Sequence, residues 1–172
     1  RWDVAFHTED FRPGVGSGLK SIAMGDEAGG FTLATNEPLR PRFEQSQIQM
    51  YVDMNRGPGI QHVALAVADI GKAVEHARRQ GVGFMLTPPA YYDQLPSRLA
   101  AQGVPQLGHS VDDLRRLGVL VDGDKTGYLL QSFCQDQATQ FRRPHAGPVF
   151  VELIQRCGCG RFGEGNFRAL FE

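Results

Sequence analysis

The sequence predicts an α+β fold made of two βαβββ modules, of which the first is incomplete. From about residue 60, apolar patterns and turn signals follow the order strand, helix, strand, strand, strand. The preceding residues hold three strand-like runs between glycine-rich turns, which match the last three strands of another copy. The predicted domains are a partial module over 1–56 and a second module over 57–172, with an insertion over 88–124 and a C-terminal helix over 166–172.

The first module is predicted from short runs with the length and side chains of β-strands. These runs are residues 2–7, 18–24 and 31–35. Pro38 follows the third run and is expected to end it, because proline cannot donate to a strand ladder. Residues 46–54 are predicted to add an edge strand, and we expect the missing strand and helix of this module to precede Arg1.

The second module opens with a strand over 60–67, after a Gly-Pro-Gly turn. Asp69 is a suitable N-cap for the helix that follows, and Gly81 is a suitable residue to end it. Residues 82–86 are predicted as the next strand, stopped by two prolines.

The insertion is predicted to carry two short helices, and the module then closes with two strands and a helix. The helices span 91–101 and 111–117, and the strands span 127–133 and 148–156. The terminal helix follows a glycine-rich loop over 158–165 and has one apolar face.

The composition excludes two classes of partner. The 172 residues include 18 Lys and Arg and 19 Asp and Glu, for a net charge of −1, and the basic residues form no run longer than two. Nucleic acid is therefore not an expected partner. The longest apolar stretch, residues 63–68, is much shorter than the roughly 18 residues of a membrane helix, so no membrane association is expected.

The three cysteines favour unpaired thiols over a disulfide framework. Cys157 and Cys159 are separated by one residue, a spacing poorly suited to bridging each other, and Cys134 has no evident partner. Thiols that stay reduced indicate a reducing compartment, so a cytoplasmic location is expected.

Two side chains on separate predicted strands point to metal chemistry. His62 alternates with Ala64 and Ala66 on one face of its strand, and Glu152 lies on the same face of its own strand as Phe150 and Ile154. Two histidines and one carboxylate form the facial triad of non-heme Fe(II) oxygenases. The spacing alone also fits a structural histidine, which is the more frequent role of a single histidine on a strand.

Several motifs in register resemble the 4-hydroxyphenylpyruvate dioxygenase family, specifically the catalytic C-terminal half of its members. The resemblance covers nearly the whole chain. The matching segments are residues 17–21, 36–38, 46–49, 57–65, 91–92, 127–133, 150–156 and 160–167.

This resemblance implies a vicinal-oxygen-chelate, or glyoxalase-like, fold in which paired modules form an open mixed-sheet barrel around Fe(II). His62 would be the second histidine ligand and Glu152 the carboxylate ligand. The first histidine would lie on the strand expected before Arg1. We assign no metal role to the remaining histidines, which are His7, His76, His109 and His145. Imidazole and carboxylate also suit zinc, manganese or cobalt, so these metals stay open as alternatives.

The resemblance also assigns roles in catalysis and in substrate binding. Catalytic roles fall to Gln131, Phe133, Asn166 and Phe167. Substrate contacts fall to Ser21, Asn36, Gln47, Gln61, Phe150 and Phe162. The terminal helix would act as a lid. Ordinary core packing is the alternative for the phenylalanines, and turn chemistry is the alternative for Asn36. Strict alternation would turn Gln61 away from His62, so either the strand bulges or Gln61 acts from behind the metal ligand.

The implied reaction converts 4-hydroxyphenylpyruvate and O₂ to homogentisate and CO₂, a step of tyrosine breakdown. Hydroxymandelate synthase, which acts on the same substrate, is the nearest alternative, but it typically departs from the dioxygenases at the positions of Asn36 and Phe167. A catalytically inactive fragment or binding module of the same fold is the other alternative. The chain alone is expected to be inactive for want of one ligand, and homo-oligomerisation is left open.

Overall fold

A computed structural model of the chain describes residues 2–11, 18–26, 30–39, 46–159, 163 and 166. The chain divides into two compact units, residues 1–59 and residues 60–172, whereas the sequence-based division was drawn after residue 56. Each unit has its own sheet. No helix in the described ranges is long and apolar enough to cross a membrane.

The first unit contains a three-stranded antiparallel sheet in the order β1-β2-β3. Its strands are β1 (Trp2–Phe11), β2 (Gly18–Asp26) and β3 (Thr32–Leu39). This confirms the three consecutive strands predicted from the sequence. Strand β3 continues through Pro38, because β3 is an edge strand and an edge position tolerates a residue that lacks the N–H donor.

The prediction of a strand over 46–54 is wrong, because helix α1 (Gln47–Asn55) occupies this segment. The Ser46 hydroxyl accepts a hydrogen bond from the Ile48 N–H at 3.2 Å, which caps the helix N-terminus. Ile48 and Tyr51, three residues apart, are both buried on one helical face. The capping serine and this helical spacing outweigh the short run of residue types that suggested a strand.

The second unit contains a four-stranded mixed sheet in the order β4-β7-β6-β5. Strand β4 pairs in parallel with β7, and the other two pairs are antiparallel. The strands are β4 (His62–Ala66), β5 (Leu120–Asp124), β6 (Gly127–Phe133) and β7 (Phe150–Cys157).

The helices of the second unit begin at recognisable sequence signals. They are α2 (Ile70–Arg79), α3 (Pro89–Ala101), α4 (Val111–Leu117) and α5 (Gln137–Phe141), followed by a single 3-10 turn (Pro144–Ala146). The Asp69 carboxylate caps α2 by accepting from the Lys72 N–H at 3.0 Å, as the sequence predicted. Pro89 occupies the first position of α3, where its missing N–H has no consequence.

The strand predicted over 82–86 is not one of the four strands of this sheet. Only Phe84 forms an isolated bridge there, with Cys134. Strand β5, which lies inside the segment predicted as the insertion over 88–124, pairs with β6 instead. Strands β5 and β6 form a tight hairpin in which the Thr126 N–H donates to the Asp124 carboxylate at 2.7 Å. Pairing across so short a loop loses little chain entropy, which favours the hairpin.

One face of this sheet packs against the helices to form the main apolar core. Buried side chains from the helices and from the sheet meet there. They include Ile70, Val74, Leu95, Leu114 and Leu130, each with no exposed area. The opposite face carries a smaller apolar cluster of Leu129, Ile154 and Cys159. The predicted metal ligands His62 and Glu152 lie on this second face.

Candidate metal centre

Strands β4 and β7 bring the two predicted metal ligands together. In their parallel register, His62 is opposite Phe150 and Ala64 is opposite Glu152. The small Ala64 side chain leaves space beside the carboxylate, and His62 Nε2 lies 3.5 Å from Glu152 Oε2. Residues that are far apart in the chain are thus neighbours on one face of the sheet.

Two neighbours fix the orientation of the His62 ring. The Gln61 amide oxygen lies 3.2 Å from His62 Nδ1, and Phe150 stacks on the ring with 5.0 Å between centroids and 13° between planes. Since an amide oxygen can only accept, Nδ1 carries the proton and Nε2 keeps its lone pair towards Glu152. Gln61 therefore contacts the ring nitrogen that faces away from Glu152. Its contact with substrate stays a prediction.

Glu152 is a carboxylate held almost entirely out of water. It is 3% exposed, and its Oε1 accepts a hydrogen bond from Gln131 Nε2 at 2.7 Å. Burial raises the pKa of Glu152 to about 7, against smaller opposing effects from Gln131 and Arg156. Burial also lowers the pKa of His62. The protein environment thus disfavours charge on both groups in the absence of a cation.

The donor chemistry of this pair fits part of a metal site. One neutral imidazole nitrogen and one carboxylate oxygen face each other at a separation that a single ion can span, since metal–ligand distances are about 2 Å. A bound cation would stabilise the carboxylate charge that burial penalises. In the ranges that the structure describes, no group of three His, Cys, Asp or Glu side chains is placed to hold a metal.

The remaining histidines give no third ligand within the described side chains. His76 lies on the exposed side of α2, His109 precedes α4, and His145 is exposed in the 3-10 turn. His7 is on β1 of the other unit, paired with Ile22 through the backbone. The location of the expected first histidine stays a prediction.

A line of hydrogen bonds extends from Glu152 into the insertion. Asn166 Nδ2 donates to Gln131 Oε1 at 2.5 Å, and the Tyr91 hydroxyl lies 2.8 Å from Asn166 Oδ1. The family resemblance implies functions for Gln131 and Asn166 but not for Tyr91, although the Tyr-Tyr pair at 91–92 is among the matching motifs. Burial raises the pKa of Tyr91 to about 12, so its hydroxyl stays protonated at neutral pH.

Two of the predicted phenylalanines lie beside the candidate ligands. Phe133 is the register partner of Glu152 on the neighbouring strand, and its ring meets that of Phe150 edge to face with 6.0 Å between centroids. Both rings are partly buried. Phe162 and Phe167 lie outside the described residues, as does most of the predicted lid helix.

The predicted substrate contacts of the first unit lie on β2, β3 and α1. Ser21 and Asn36 are direct register partners. Ser21 is fully buried, and within the described part of the chain its hydroxyl has no hydrogen-bond partner. Asn36 is partly buried, and Gln47 is exposed at the first position of α1. A buried hydroxyl without a partner suits a ligand contact, but these three roles stay predictions.

Comparison with known families assigns the chain to a superfamily. The family model described as Glyoxalase/Bleomycin resistance protein/Dioxygenase superfamily matches residues 2–96, which is more than half of the chain. The chain belongs to this superfamily. The glyoxalase-like fold inferred from the sequence motifs is thereby confirmed, with two sheets that are open rather than closed.

Curated members of the superfamily resemble the chain along almost its whole length. A 4-hydroxyphenylpyruvate dioxygenase from Sus scrofa is 40% identical over 99% of the chain, and one from Caenorhabditis elegans is 41% identical over 99%. One from Tetrahymena thermophila is 39% identical over 98% of the chain. The chain spans about 40% of the length of these relatives. The resemblance to this dioxygenase family is thus confirmed.

Solved structures of the superfamily share the fold. A mutant of 4-hydroxymandelate synthase from Streptomyces coelicolor superposes with a TM-score of 0.73 at 30% identity, over 97% of the chain and 44% of that protein. A xylose isomerase-like TIM barrel/4-hydroxyphenylpyruvate dioxygenase fusion protein gives a TM-score of 0.58 at 25% identity, over 86% of the chain and 21% of that protein. Dioxygenases of this superfamily generally use a metal.

Proposed function

We propose that this chain forms part of an Fe(II)-dependent dioxygenase that converts 4-hydroxyphenylpyruvate and O₂ to homogentisate and CO₂. The observation that carries the proposal is the convergence of His62 Nε2 and Glu152 Oε2 on one sheet face. The similarity to dioxygenases of that name supports the choice of reaction.

Each residue of the centre has a distinct role in this proposal. His62 and Glu152 hold Fe(II), and the bound ion supplies the activation of O₂ and the binding of the α-keto acid. Gln61 holds the proton of His62 on Nδ1, so that Nε2 is free to ligate. Gln131 holds Oε1 of Glu152, so that Oε2 faces the histidine.

The surroundings of the centre suit an aromatic keto acid and the exclusion of water. Phe133 and Phe150 form an apolar wall beside the ligands, and Gln131 and Asn166 offer uncharged hydrogen-bonding groups near it. Uncharged amides orient a keto acid or a phenol without adding charge next to the metal. The cytoplasmic location and the homo-oligomeric state raised by the sequence stay predictions.

The proposal is tested by incubating the full-length protein with Fe(II), a reductant, O₂ and 4-hydroxyphenylpyruvate, and by identifying the products chromatographically. We expect homogentisate from the wild type and a loss of at least about 100-fold in turnover for Glu152→Gln, because the ligand charge is removed. Glu75→Gln is the matched control, since Glu75 pairs with Arg116 at the surface. Undiminished homogentisate formation by Glu152→Gln would contradict the assigned role.

Hydroxymandelate synthase activity is the second candidate, favoured by the superposition on that enzyme. Asn36 is the dioxygenase residue at a position where the synthases typically differ, so we favour oxidation of the ring. The same incubation separates the two, because 4-hydroxymandelate without homogentisate would identify a synthase. Absence of both products from a protein that binds Fe(II) would instead identify a binding module.

A further inference from the structure

We propose that Tyr91, on helix α3, is a positioning residue for the candidate metal centre. Its hydroxyl is the donor at the far end of a hydrogen-bonded line that runs through Asn166 and Gln131 to the accepting carboxylate of Glu152. The inference depends on the proposed function only where it treats Glu152 as a metal ligand. The inference gives a role to α3, a helix within the predicted insertion over 88–124.

The Tyr91 hydroxyl is held in place from two directions. It accepts from the Val121 N–H at 2.8 Å and from Arg98 Nη2 at 2.7 Å. Val121 lies on β5, the edge strand of the sheet, so Tyr91 and Arg98 pair with backbone groups that would otherwise face outwards. Two donors therefore occupy the acceptor positions of the hydroxyl, and its single proton is left to donate.

Two acceptors lie near this proton, and one of them already has a donor. The Val121 carbonyl oxygen is 3.0 Å from the hydroxyl, but it also accepts from Arg98 Nη2 at 2.9 Å. Asn166 Oδ1 is closer, at 2.8 Å. The shorter distance therefore favours Asn166 Oδ1 as the acceptor of the tyrosine proton, since the Val121 carbonyl is already satisfied by Arg98.

The direction of that first bond agrees with the direction of the next two, which end on the accepting carboxylate of Glu152. With Oδ1 of Asn166 accepting from Tyr91, its Nδ2 donates to Gln131 Oε1. With Oε1 of Gln131 accepting, its Nε2 donates to Glu152 Oε1. Reversing either amide would place two donors or two acceptors against each other. The line therefore has one satisfied orientation, in which Oε2 of Glu152 is left facing His62.

Burial makes this orientation consequential. Tyr91, Asn166, Gln131 and Glu152 are each between 2% and 4% exposed. Water does not readily replace a lost partner at such sites, so an unmade hydrogen bond there is unfavourable. Loss of the tyrosine hydroxyl would leave Asn166 Oδ1 without its donor, so that the acceptor-only Glu152 carboxylate would orient the two amides from one end alone.

The test compares Tyr91→Phe with Tyr92→Phe in the full-length protein. Tyr92 is the adjacent residue, is also buried, and its ring meets that of Tyr91 edge to face at 5.0 Å. Both variants lose one buried hydroxyl, but only Tyr91 belongs to the line. Two measurements are made on each: the NMR signals and solvent exchange of the side-chain NH₂ groups of Asn166 and Gln131, without metal, and the affinity and visible spectrum of added Co²⁺.

We expect Tyr91→Phe to speed exchange of the Asn166 NH₂ group, to weaken Co²⁺ binding about tenfold and to alter the Co²⁺ spectrum, as happens when the partner of a metal ligand is lost. Tyr92→Phe is expected to match the wild type in these measurements. Slow, unchanged amide exchange in Tyr91→Phe would overturn the inference whether or not metal binds. If the wild type binds Co²⁺ and Tyr91→Phe binds it with equal affinity, the inference is also overturned. A wild type whose amides behave as expected but which binds no Co²⁺ would instead overturn the proposed function.

Discussion

Neutral hydrogen-bonding side chains, rather than opposing charges, hold the candidate ligands in position. Gln61 determines which nitrogen of His62 is protonated, and Gln131 determines which oxygen of Glu152 is free. A buried positive partner would stabilise the carboxylate more strongly but would compete with a metal ion for it. Amide partners orient both ligands and leave the negative charge of Glu152 for the cation.

Gly163 gives a prediction at the residue scale. Its φ is +93°, and an added Cβ would collide with the side-chain amide of Gln131. Gly163→Ala should therefore lower the free energy of unfolding and also weaken metal binding, because Gln131 must move away from Glu152. We expect a loss of about 2–4 kcal/mol in stability from backbone strain and overpacking together, measured by urea denaturation.

Gly147→Ala is the matched control for this change. Gly147 also has a positive φ, of +85°, but an added Cβ would meet nothing within 4 Å. Gly147→Ala should lower the free energy of unfolding by about 1–2 kcal/mol through backbone strain alone. Its metal affinity should be unchanged. Equal effects of the two alanine variants on metal affinity would contradict the contact with Gln131.

At the scale of elements, the sheet positions the ligands and the inserted helices support the sheet. The parallel pairing of β4 with β7 sets the distance between His62 and Glu152. Helix α3 covers the β5 edge through Tyr91 and Arg98, and α4 buries Leu114 in the core behind that strand. The insertion is thus integrated with the sheet that carries the site.

Helix α4 gives a prediction about its N-cap. The Ser110 hydroxyl accepts from the Asp113 N–H at 3.1 Å, so Ser110→Ala removes a cap and should lower the free energy of unfolding by about 1 kcal/mol. Ser97→Ala is the control, since Ser97 lies inside α3 and its hydroxyl donates to the Gln94 carbonyl of its own helix. Alanine favours helix interiors, so this control should be neutral or stabilising. Urea denaturation of both variants tests the difference, and equal losses would contradict the capping role.

At the scale of the whole molecule, folding and metal binding should be linked. His62 and Glu152 are brought together only by the folded sheet of the second unit, so a metal that binds both ligands stabilises the native state over the unfolded chain. The linkage is expected in the full-length protein. The chain spans about 40% of the length of the relative from Sus scrofa.

This linkage predicts a metal-dependent melting temperature. Adding Fe(II) under anaerobic conditions, or Co²⁺, at about 100 times the dissociation constant should stabilise the fold by about 2.7 kcal/mol, and a chelator should reverse the shift. Glu152→Gln should abolish most of the shift, whereas Glu75→Gln at the surface should keep it. Differential scanning calorimetry measures the effect. A metal-induced shift that persists in Glu152→Gln would place the binding site elsewhere.

The sequence by itself determined the features that depend on local periodicity and local caps. Strand alternation placed His62 and Glu152 on their correct faces, and Asp69 marked the start of α2. Residue types alone, without the Ser46 cap, predicted a strand over 46–54, where the structure has α1.

Only the tertiary structure decided which strand pairs with β6 and how the buried amides point. Strand β5 pairs with residues 127–131 of β6, whereas Phe84 bridges Cys134 just after the end of β6, and this division depends on contacts between segments that are distant in the chain. The line from Tyr91 to Glu152 joins side chains from α3, β6 and β7 with Asn166, which no sequence pattern relates. Its direction follows from which donors and acceptors meet in the packed interior, where water cannot substitute for a missing partner.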